Sequence, residues 1–236
     1  MADCLSLSVV SKAYDSGPVL LGFSYTFPAH GCVALLGTSG CGKTTLLRQL
    51  CGLEQPDRGD ITIPSASKLS YIFQEDRLLP ALTARDNIAA VLNCNIRAAE
   101  ALAEQWLERV GLAGEGGKYP AQLSGGMKRR VAMARALAYG GNILLLDEPF
   151  KGLDLQTKQE MQNLVLKGHD ARSRLNILVT HDVEEALYLA DRILILDGPP
   201  LTIIDEVAVD IPVHSRPQSE DVLVWHREYI HRKLKK

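Results

Sequence analysis

The sequence predicts an α/β fold with a mostly parallel β-sheet, an antiparallel β portion at the N-terminus and an inserted α-helical subdomain. Several apolar runs lack polar alternation, as expected for strands buried on both faces of a parallel sheet. Helical patterns separate some of these runs, which favours βαβ connections. The buried strands are predicted at "CVALLG", "NILLLDE", "LNILVT" and "RILILD". The chain has 236 residues, enough for one sizeable domain.

The first thirty residues predict antiparallel strands. "LSLSVV" and "SYTF" alternate in polarity, and "DSGP" and "PAHG" supply turn residues around them. The buried strand at 32–37 then enters a glycine-rich loop, followed by a predicted helix over about 43–51. "GDITI" and "KLSYIF", at 59–63 and 68–73, predict a further pair of strands.

Helical periodicity dominates the middle of the chain. In "ARDNIAAVL" and "RAAEALAEQWLERVGL" apolar residues recur three and four positions apart, so we predict a helical subdomain over about 83–140. Helices over about 155–168 and 182–190 are predicted between the last three strands. Residues from about 211 to 236 are predicted as a basic C-terminal tail, helical over "HREYIHRKLKK" and exposed to solvent, with a membrane or partner contact as the alternative.

Composition is that of an ordinary soluble globular protein. The chain is 46% hydrophobic with a net charge of -2, so there is no overall electrostatic attraction to nucleic acid. No apolar run approaches the roughly 20 residues that a bilayer-spanning helix needs. The five cysteines form no C-x-x-C pair, which predicts free thiols in a reducing cytosol and neither a disulfide framework nor a structural metal.

"GTSGCGKTT", between a buried strand and a helix, fits the phosphate-binding pattern G-x-x-x-x-G-K-[ST]. Its glycines let backbone N–H groups face phosphates, Lys43 can reach the outer phosphates, and the Thr44 hydroxyl can ligate Mg²⁺. The candidate phosphate-binding residues are Gly37, Thr38, Ser39, Gly40, Cys41, Gly42, Lys43, Thr44 and Thr45.

Two carboxylates end the strand "ILLLDEP". Magnesium and hydrolysis need such groups beside a phosphate loop. We expect Asp147 to hold Mg²⁺ through water and Glu148 to polarise the attacking water. The alternative is an acidic strand end stopped by Pro149.

A second glycine-rich helix start occurs in "LSGGMKRRVAMARALA". Ser124 can donate a hydrogen bond, Gly125 and Gly126 allow close backbone approach, and the helix dipole favours an anion. An ordinary helix N-cap is the alternative.

Three further residues are weaker candidates by themselves. His181 precedes the potential N-cap Asp182, Gln74 follows a strand, and Tyr14 lies near the first turn. Taken alone, each is more often a structural, packing or solvated residue.

Together these motifs resemble the nucleotide-binding subunit of ATP-binding cassette (ABC) transporters over residues 5–210. Six motifs occur in the family's order: Walker A "GTSGCGKTT", the Q-loop "FQ", the signature "LSGGM", Walker B "ILLLDE", the D-loop "GLD" and the H-loop "VTHD". Tyr14 resembles the aromatic residue that stacks on adenine. The signature departs from the usual pattern at Met127, where glutamine is common, and Lys151 occupies a position that is more often small.

The resemblance implies that two subunits pack head to tail, so that the signature of one caps the γ-phosphate held by the other. ATP and Mg²⁺ are the implied cofactors. Glu148 would be the general base, His181 would contact the γ-phosphate, and Asp154 would lie at the dimer interface. Thr44, Gln74 and Asp147 are the implied metal-site residues, Gln74 also sensing the lytic water.

"FQEDRLLPALTARDNI" and "DEPFKGLD" look most like ATPases of the nitrate, sulfonate and taurine importer group. That resemblance implies a homodimer or pseudo-dimer at the cytoplasmic face of the inner membrane. The implied partners are separate permease subunits and, indirectly, an extracytoplasmic solute-binding protein, and no nucleic acid; the solute stays open. The alternatives are a soluble ABC-type ATPase acting on ribosomes or nucleic acid, and a P-loop small-molecule kinase.

Overall fold

Two β-sheets organise the chain. A computed structural model describes residues 4–167, 174–212, 215–216 and 220–234. In this part of the chain a three-stranded antiparallel sheet lies beside a six-stranded, mostly parallel sheet, with helices on both faces of the larger one. The predicted fold class is confirmed.

The smaller sheet has the strand order β2-β1-β4 and is antiparallel throughout. Its strands are β1 (Ser6–Tyr14), β2 (Gly17–Thr26) and β4 (Arg58–Thr62). Both strands predicted at 59–63 and 68–73 are present, but they do not pair with each other. Strand β4 pairs with β1, whereas the next strand, β5 (Leu69–Ile72), crosses to the larger sheet. The connection between the two strands therefore passes from one sheet to the other.

The larger sheet has the order β5-β6-β7-β3-β8-β9. Its other strands are β3 (Gly31–Gly37), β6 (Ile143–Asp147), β7 (Leu175–Thr180), β8 (Arg192–Asp197) and β9 (Thr202–Ala208). All neighbours are parallel except β9, which runs antiparallel to β8. Strand β9 was not predicted. It forms the sheet edge, and its side chains are mostly exposed or half-buried, so it lacks the apolar run that marked the central strands.

Seven helices occur in the described residues: α1 (Lys43–Leu50), α2 (Ala84–Ala89), α3 (Ile96–Arg109), α4 (Gly125–Tyr139), α5 (Leu155–Lys167), α6 (Val183–Leu189) and α7 (Glu220–Leu234). Side-chain caps begin several of them: Thr83 for α2, Asn95 for α3, Ser124 for α4 and Asp182 for α6. The predicted end of the fifth helix at residue 168 lies outside the described residues.

The central strands divide the core into two layers. Because successive side chains point to opposite faces of a strand, Val33 and Leu35 join the layer beneath α1 and the small sheet. Ala34 and Leu36 join the larger layer with the remaining helices. Strand β3 is completely buried, which explains its uninterrupted apolar sequence.

Helices α2, α3 and α4 pack against one another and lie between β5 and β6 in the chain. They form the helical region predicted over about 83–140, although the boundaries of that subdomain stay a prediction. The C-terminal α7 packs on α6, with Ile230 fully buried and an ion pair between Arg227 and Glu184. This segment is therefore docked on the core and not simply exposed to solvent. None of the described helices is long and apolar enough to cross a membrane.

Candidate functional site

The predicted phosphate loop connects β3 to α1 and requires glycine at both ends. A Cβ at Gly37 would collide with the Leu196 carbonyl of the neighbouring strand. Gly42 has φ of 115°, a left-handed conformation that disfavours side chains, and a Cβ there would lie 2.8 Å from Val19 Cγ1. The glycine spacing therefore follows from close packing and from the backbone turn into the helix.

Lys43 is folded into this loop. Its ammonium donates to the carbonyl oxygens of Gly37 at 2.9 Å and Thr38 at 2.6 Å, and contacts Cys41 Sγ at 3.5 Å. The lysine is only 6% exposed, and Cys41 is fully buried. A positive charge is thereby held in the middle of the loop, close to where backbone N–H groups turn toward a bound anion.

A cavity of about 360 Å³ opens at the loop. It brings together residues that are far apart in the sequence. The predicted site residues that line it are Ser39, Gly40, Gly42, Lys43, Thr44, Thr45, Gln74 and Glu148, and the others are Val19, Lys151 and Val179. One surface thus combines the phosphate loop, the predicted water-sensing glutamine and the predicted general base.

Asp147 lies at the base of this site and is 1% exposed. The Thr44 hydroxyl donates to its Oδ1 at 3.2 Å, and the Tyr71 hydroxyl donates to Oδ2 at 3.3 Å. Burial raises the pKa of Asp147 above its usual value, although the two hydrogen bonds oppose that change. Thr44, Asp147 and nearby Gln74 provide the oxygen donors that Mg²⁺ prefers.

Glu148 projects from a strained backbone, with φ of 44°. Its Oε1 lies 3.3 Å from His181 Nδ1, and its Oε2 lies 3.0 Å from Lys151 Nζ. Burial would raise the pKa of Glu148, but the ion pair with Lys151, together with His181, outweighs burial and lowers it. Glu148 is therefore held as a carboxylate between two nitrogen groups, one of which, Lys151, the sequence had left without a role.

Tyr14 lies at the end of β1 and remains 42% exposed. Its hydroxyl donates to a Glu54 carboxylate oxygen, and the Thr45 side chain is a second hydrogen-bonding neighbour. Burial and Glu54 both raise the pKa of the phenol. The contact with Thr45 brings this aromatic ring next to the phosphate loop, with part of its surface still open.

The second glycine-rich helix start is not part of the cavity. Ser124 Oγ accepts the Met127 N–H at 3.2 Å and caps α4, which leaves Gly125 exposed at the first turn. Gly126 follows Gly125 in the first turn of α4, and the side chain of Met127 packs against the larger core layer. Asp154 also lies apart from the cavity and accepts hydrogen bonds from the backbone and hydroxyl of Thr157. Within this chain the cavity and the helix start are separate surfaces.

Arg129 is a residue that the sequence analysis missed. It lies one turn into α4 and is 4% exposed. Its guanidinium donates to five main-chain carbonyl oxygens at 2.5–3.2 Å, those of Phe73, Gln74, Asp147, Glu148 and Pro149. Asp76 adds a carboxylate contact at 3.4 Å. Arg129 thus binds the helical region to the loops that carry Gln74 and Glu148. Nothing in the local pattern of "KRR" distinguishes this buried arginine from its half-buried neighbours.

The sequence and fold match known proteins. The ABC transporter family profile matches residues 20–151. The aliphatic sulfonates import ATP-binding protein SsuB 1 of Shouchella clausii (strain KSM-K16) is 38% identical over 230 residues, covering 98% of this chain and 91% of that protein. SsuB of Pseudomonas fluorescens (strain Pf0-1) is 43% identical over 215 residues, covering 89% and 77% respectively.

Solved structures give the same result. The post-hydrolysis dimer of the ATP-binding cassette MJ0796 bound to ADP and Pi superimposes with a TM-score of 0.81 at 26% identity, covering 88% of this chain and all of that one. Another dimeric structure of MJ0796, described as a bacterial ABC transporter cassette, gives a TM-score of 0.80. The family profile, the relatives and the superimposable cassettes show that this chain belongs to the ABC transporter family, as one of its ATP-binding, ATP-hydrolysing subunits.

Proposed function

We propose that this chain powers the import of aliphatic sulfonates, or of closely related small organic anions, by binding and hydrolysing ATP. The observation that carries the ATPase assignment is the single cavity that joins the phosphate loop to Gln74 and Glu148. The solute assignment rests on relatives named as aliphatic sulfonate import proteins. The chain works at the cytoplasmic face of the membrane through separate permease subunits. A solute-binding protein delivers the solute to those subunits. No nucleic acid partner is proposed.

The residues of the cavity divide the chemistry between them. Tyr14 offers its exposed ring to adenine, and the backbone of residues 37–45 with Lys43 holds the phosphates. The attacking water transfers its proton to Glu148 as it bonds to the terminal phosphorus, and the bond to the bridging oxygen breaks to release ADP. His181, held against Glu148, is positioned to contact the terminal phosphate.

Mg²⁺ fits the donor set at the base of the cavity. The Thr44 hydroxyl donates to Asp147 Oδ1, and the buried carboxylate has Tyr71 as a further side-chain partner. We assign Thr44, Asp147 and Gln74 as the residues that would hold the ion. When bound, it neutralises phosphate charge.

A second copy of the chain completes the site. Ser124, Gly125 and Gly126 lie outside the cavity of their own subunit, and they present a capped helix N-terminus suited to a phosphate. In a head-to-tail dimer each signature helix would reach the nucleotide on its partner, with Asp154 near the interface. The dimeric cassettes found among the solved structures support this arrangement.

A groove beside the Q-loop is the proposed permease contact. It has a volume of about 370 Å³ and lies between β5 and the helical region. Tyr71, Phe73, Leu79, Arg135 and Tyr139 are among its lining residues. Arg129 binds the Phe73 carbonyl at one edge of the groove and also binds the Glu148 carbonyl. A movement of the groove would therefore be transmitted through Arg129 to the loop that carries Glu148. We retain about 83–140 as the helical subdomain and about 211–236 as the C-terminal segment of a single domain.

Light scattering on Glu148→Gln, with and without ATP and Mg²⁺, tests the composite site. The substitution removes the base but not the phosphate loop, so the ATP-bound dimer should accumulate. Adding Ser124→Trp should abolish dimerisation while leaving ATP binding to the monomer intact. If ATP binds tightly and the chain stays monomeric even with co-expressed permease, the composite site is wrong. Alkanesulfonate-stimulated ATPase activity in the reconstituted transporter tests the solute.

A further inference from the structure

Lys151 is a second lysine at the phosphate cavity. It lines the cavity together with Lys43, but the two ammonium groups have different partners. Lys43 is buried and bound to carbonyl oxygens of its own loop. Lys151 has a side chain that is 59% exposed, and its ammonium lies on Glu148 Oε2 at 3.0 Å.

The contact between Lys151 and Glu148 is built into one turn of the chain. The Lys151 N–H donates to the Glu148 carbonyl at 3.3 Å, and the intervening Phe150 is 2% exposed, which anchors the turn in the core. The turn thereby places the Lys151 ammonium beside the carboxylate of Glu148, three residues earlier in the chain. Since the turn needs no other element to bring the two groups together, the pair forms wherever the end of β6 is folded.

The two carboxylate oxygens of Glu148 have different partners. His181 Nδ1 approaches Oε1 and Lys151 Nζ approaches Oε2, so two restraints act on opposite sides of the group. A carboxylate offers about four lone-pair positions. The His181 contact has hydrogen-bonding geometry, whereas Lys151 Nζ lies at ion-pair distance from Oε2, which has no hydrogen-bond partner among the described residues. The two contacts therefore orient the carboxylate without filling its lone-pair positions.

We propose that Lys151 is a positioning residue for ATP hydrolysis, holding the Glu148 carboxylate at the orientation in which it receives the proton of the attacking water. The inference rests on the proposed function of Glu148 as the base. With Lys151 absent, the carboxylate keeps its contact with His181 on Oε1 but loses the one on Oε2, and it gains freedom about its terminal torsion. The lysine acts through Glu148 and makes no required contact with the nucleotide.

Steady-state ATPase assays and equilibrium ATP-binding measurements on the full chain test this role. For Lys151→Met we expect kcat to fall about three- to fivefold, the range expected for a partly exposed ion pair, with ATP affinity changed less than twofold. Lys151→Arg, which keeps the cation, should recover most of kcat. Lys118→Met is a matched control, because Lys118 forms an ion pair with Glu115 at the same three-residue spacing, away from the cavity; its kcat should match that of the unmodified chain.

Several results would overturn the inference. An unchanged or increased kcat for Lys151→Met would show that the pair is irrelevant or restrains catalysis. Weaker ATP binding at unchanged kcat, or a loss that Lys151→Arg does not recover, would assign Lys151 to another role. Glu148→Gln is measured alongside: if that variant keeps full ATPase activity, the proposed function of Glu148 itself fails. If it is inactive while Lys151→Met is normal, only the role of Lys151 fails.

Discussion

Replacing Arg129 by methionine should destabilise the whole cassette. The substitution keeps a long apolar side chain in the helix but removes the group that binds five main-chain carbonyl oxygens. These carbonyls belong to the ends of β5 and β6 and to the loops that follow them. In the native chain one guanidinium binds all five, although the Glu148 carbonyl also accepts the Lys151 N–H, and α4 is held to both loops by that contact.

The expected loss follows from two opposing effects. Each buried carbonyl left without a donor costs about 1–3 kcal/mol, and at least the Glu148 carbonyl keeps a donor, the Lys151 N–H, when Arg129 is removed. Burial of the guanidinium is itself unfavourable, as the lowered pKa of Arg129 indicates, and its removal recovers part of that cost. Carbonyls that border the cavity can also bind water. We therefore expect a net loss of about 3–5 kcal/mol in the free energy of unfolding.

Urea and thermal unfolding measure this loss directly. For a domain of this size, 1 kcal/mol shifts Tm by roughly 2–4 °C, so Arg129→Met should lower Tm by about 6–20 °C. Arg130→Met is the matched control on the same helix. Arg130 is half-buried and donates to the carbonyls of Val110 and Gly111, both at 3.1 Å, so its loss should cost less than about 1.5 kcal/mol. If Arg129→Met is no less stable than Arg130→Met, the clamp does not stabilise the fold.

Three further predictions concern the site and its surroundings. Met127→Gln should change the ATPase rate by less than about tenfold, equivalent to 1.4 kcal/mol, because the Met127 side chain packs against the core; a hundredfold gain would contradict this. Tyr14→Ala should weaken ATP binding about 5- to 30-fold in calorimetry through lost stacking, while an unchanged affinity would remove Tyr14 from the adenine site. Burial alone would raise the pKa of Asp182, but its contact with Lys158 at 2.7 Å helps to lower it in the folded chain. The ionised Asp182 therefore contributes fully to the free energy of unfolding above its unfolded pKa of about 3.9, and this contribution is lost as pH falls through the pKa of the folded chain. Asp182→Asn should therefore reduce the fall in the free energy of unfolding at acid pH, as measured by urea unfolding.

Local patterns predicted much of the architecture. The buried strand leading to Gly37 and the glycine spacing up to Lys43 specify a strand, a tight loop and a helix within a short stretch of sequence. Helical periodicity likewise identified α3, and Ser124 was correctly expected to begin α4. These predictions depend on interactions between neighbours in the chain, namely side-chain alternation, capping and glycine conformations.

Contacts between residues far apart in the chain could not be predicted from these local patterns. The partition of β4 and β5 between two sheets depends on which distant strand each one pairs with, and neither sequence encodes its partner. Edge strand β9 carries only a weak apolar pattern because most of its side chains are exposed or half-buried. The grouping of Tyr14 with Thr45, and of Gln74 with Glu148, likewise required the folded sheet.

The amino-acid sequence by itself determined that this protein binds a nucleotide phosphate, because the phosphate loop is a local structure whose glycines and lysine are consecutive. It also determined the α/β class through the apolar strands and the helices between them. Only the tertiary structure decided that Arg129 would join the helical region to the loops that carry Gln74 and Glu148, and that His181 would lie against Glu148. The reason is that hydrogen bonds and ion pairs depend on distance and direction, and these are set when elements far apart in the chain pack together.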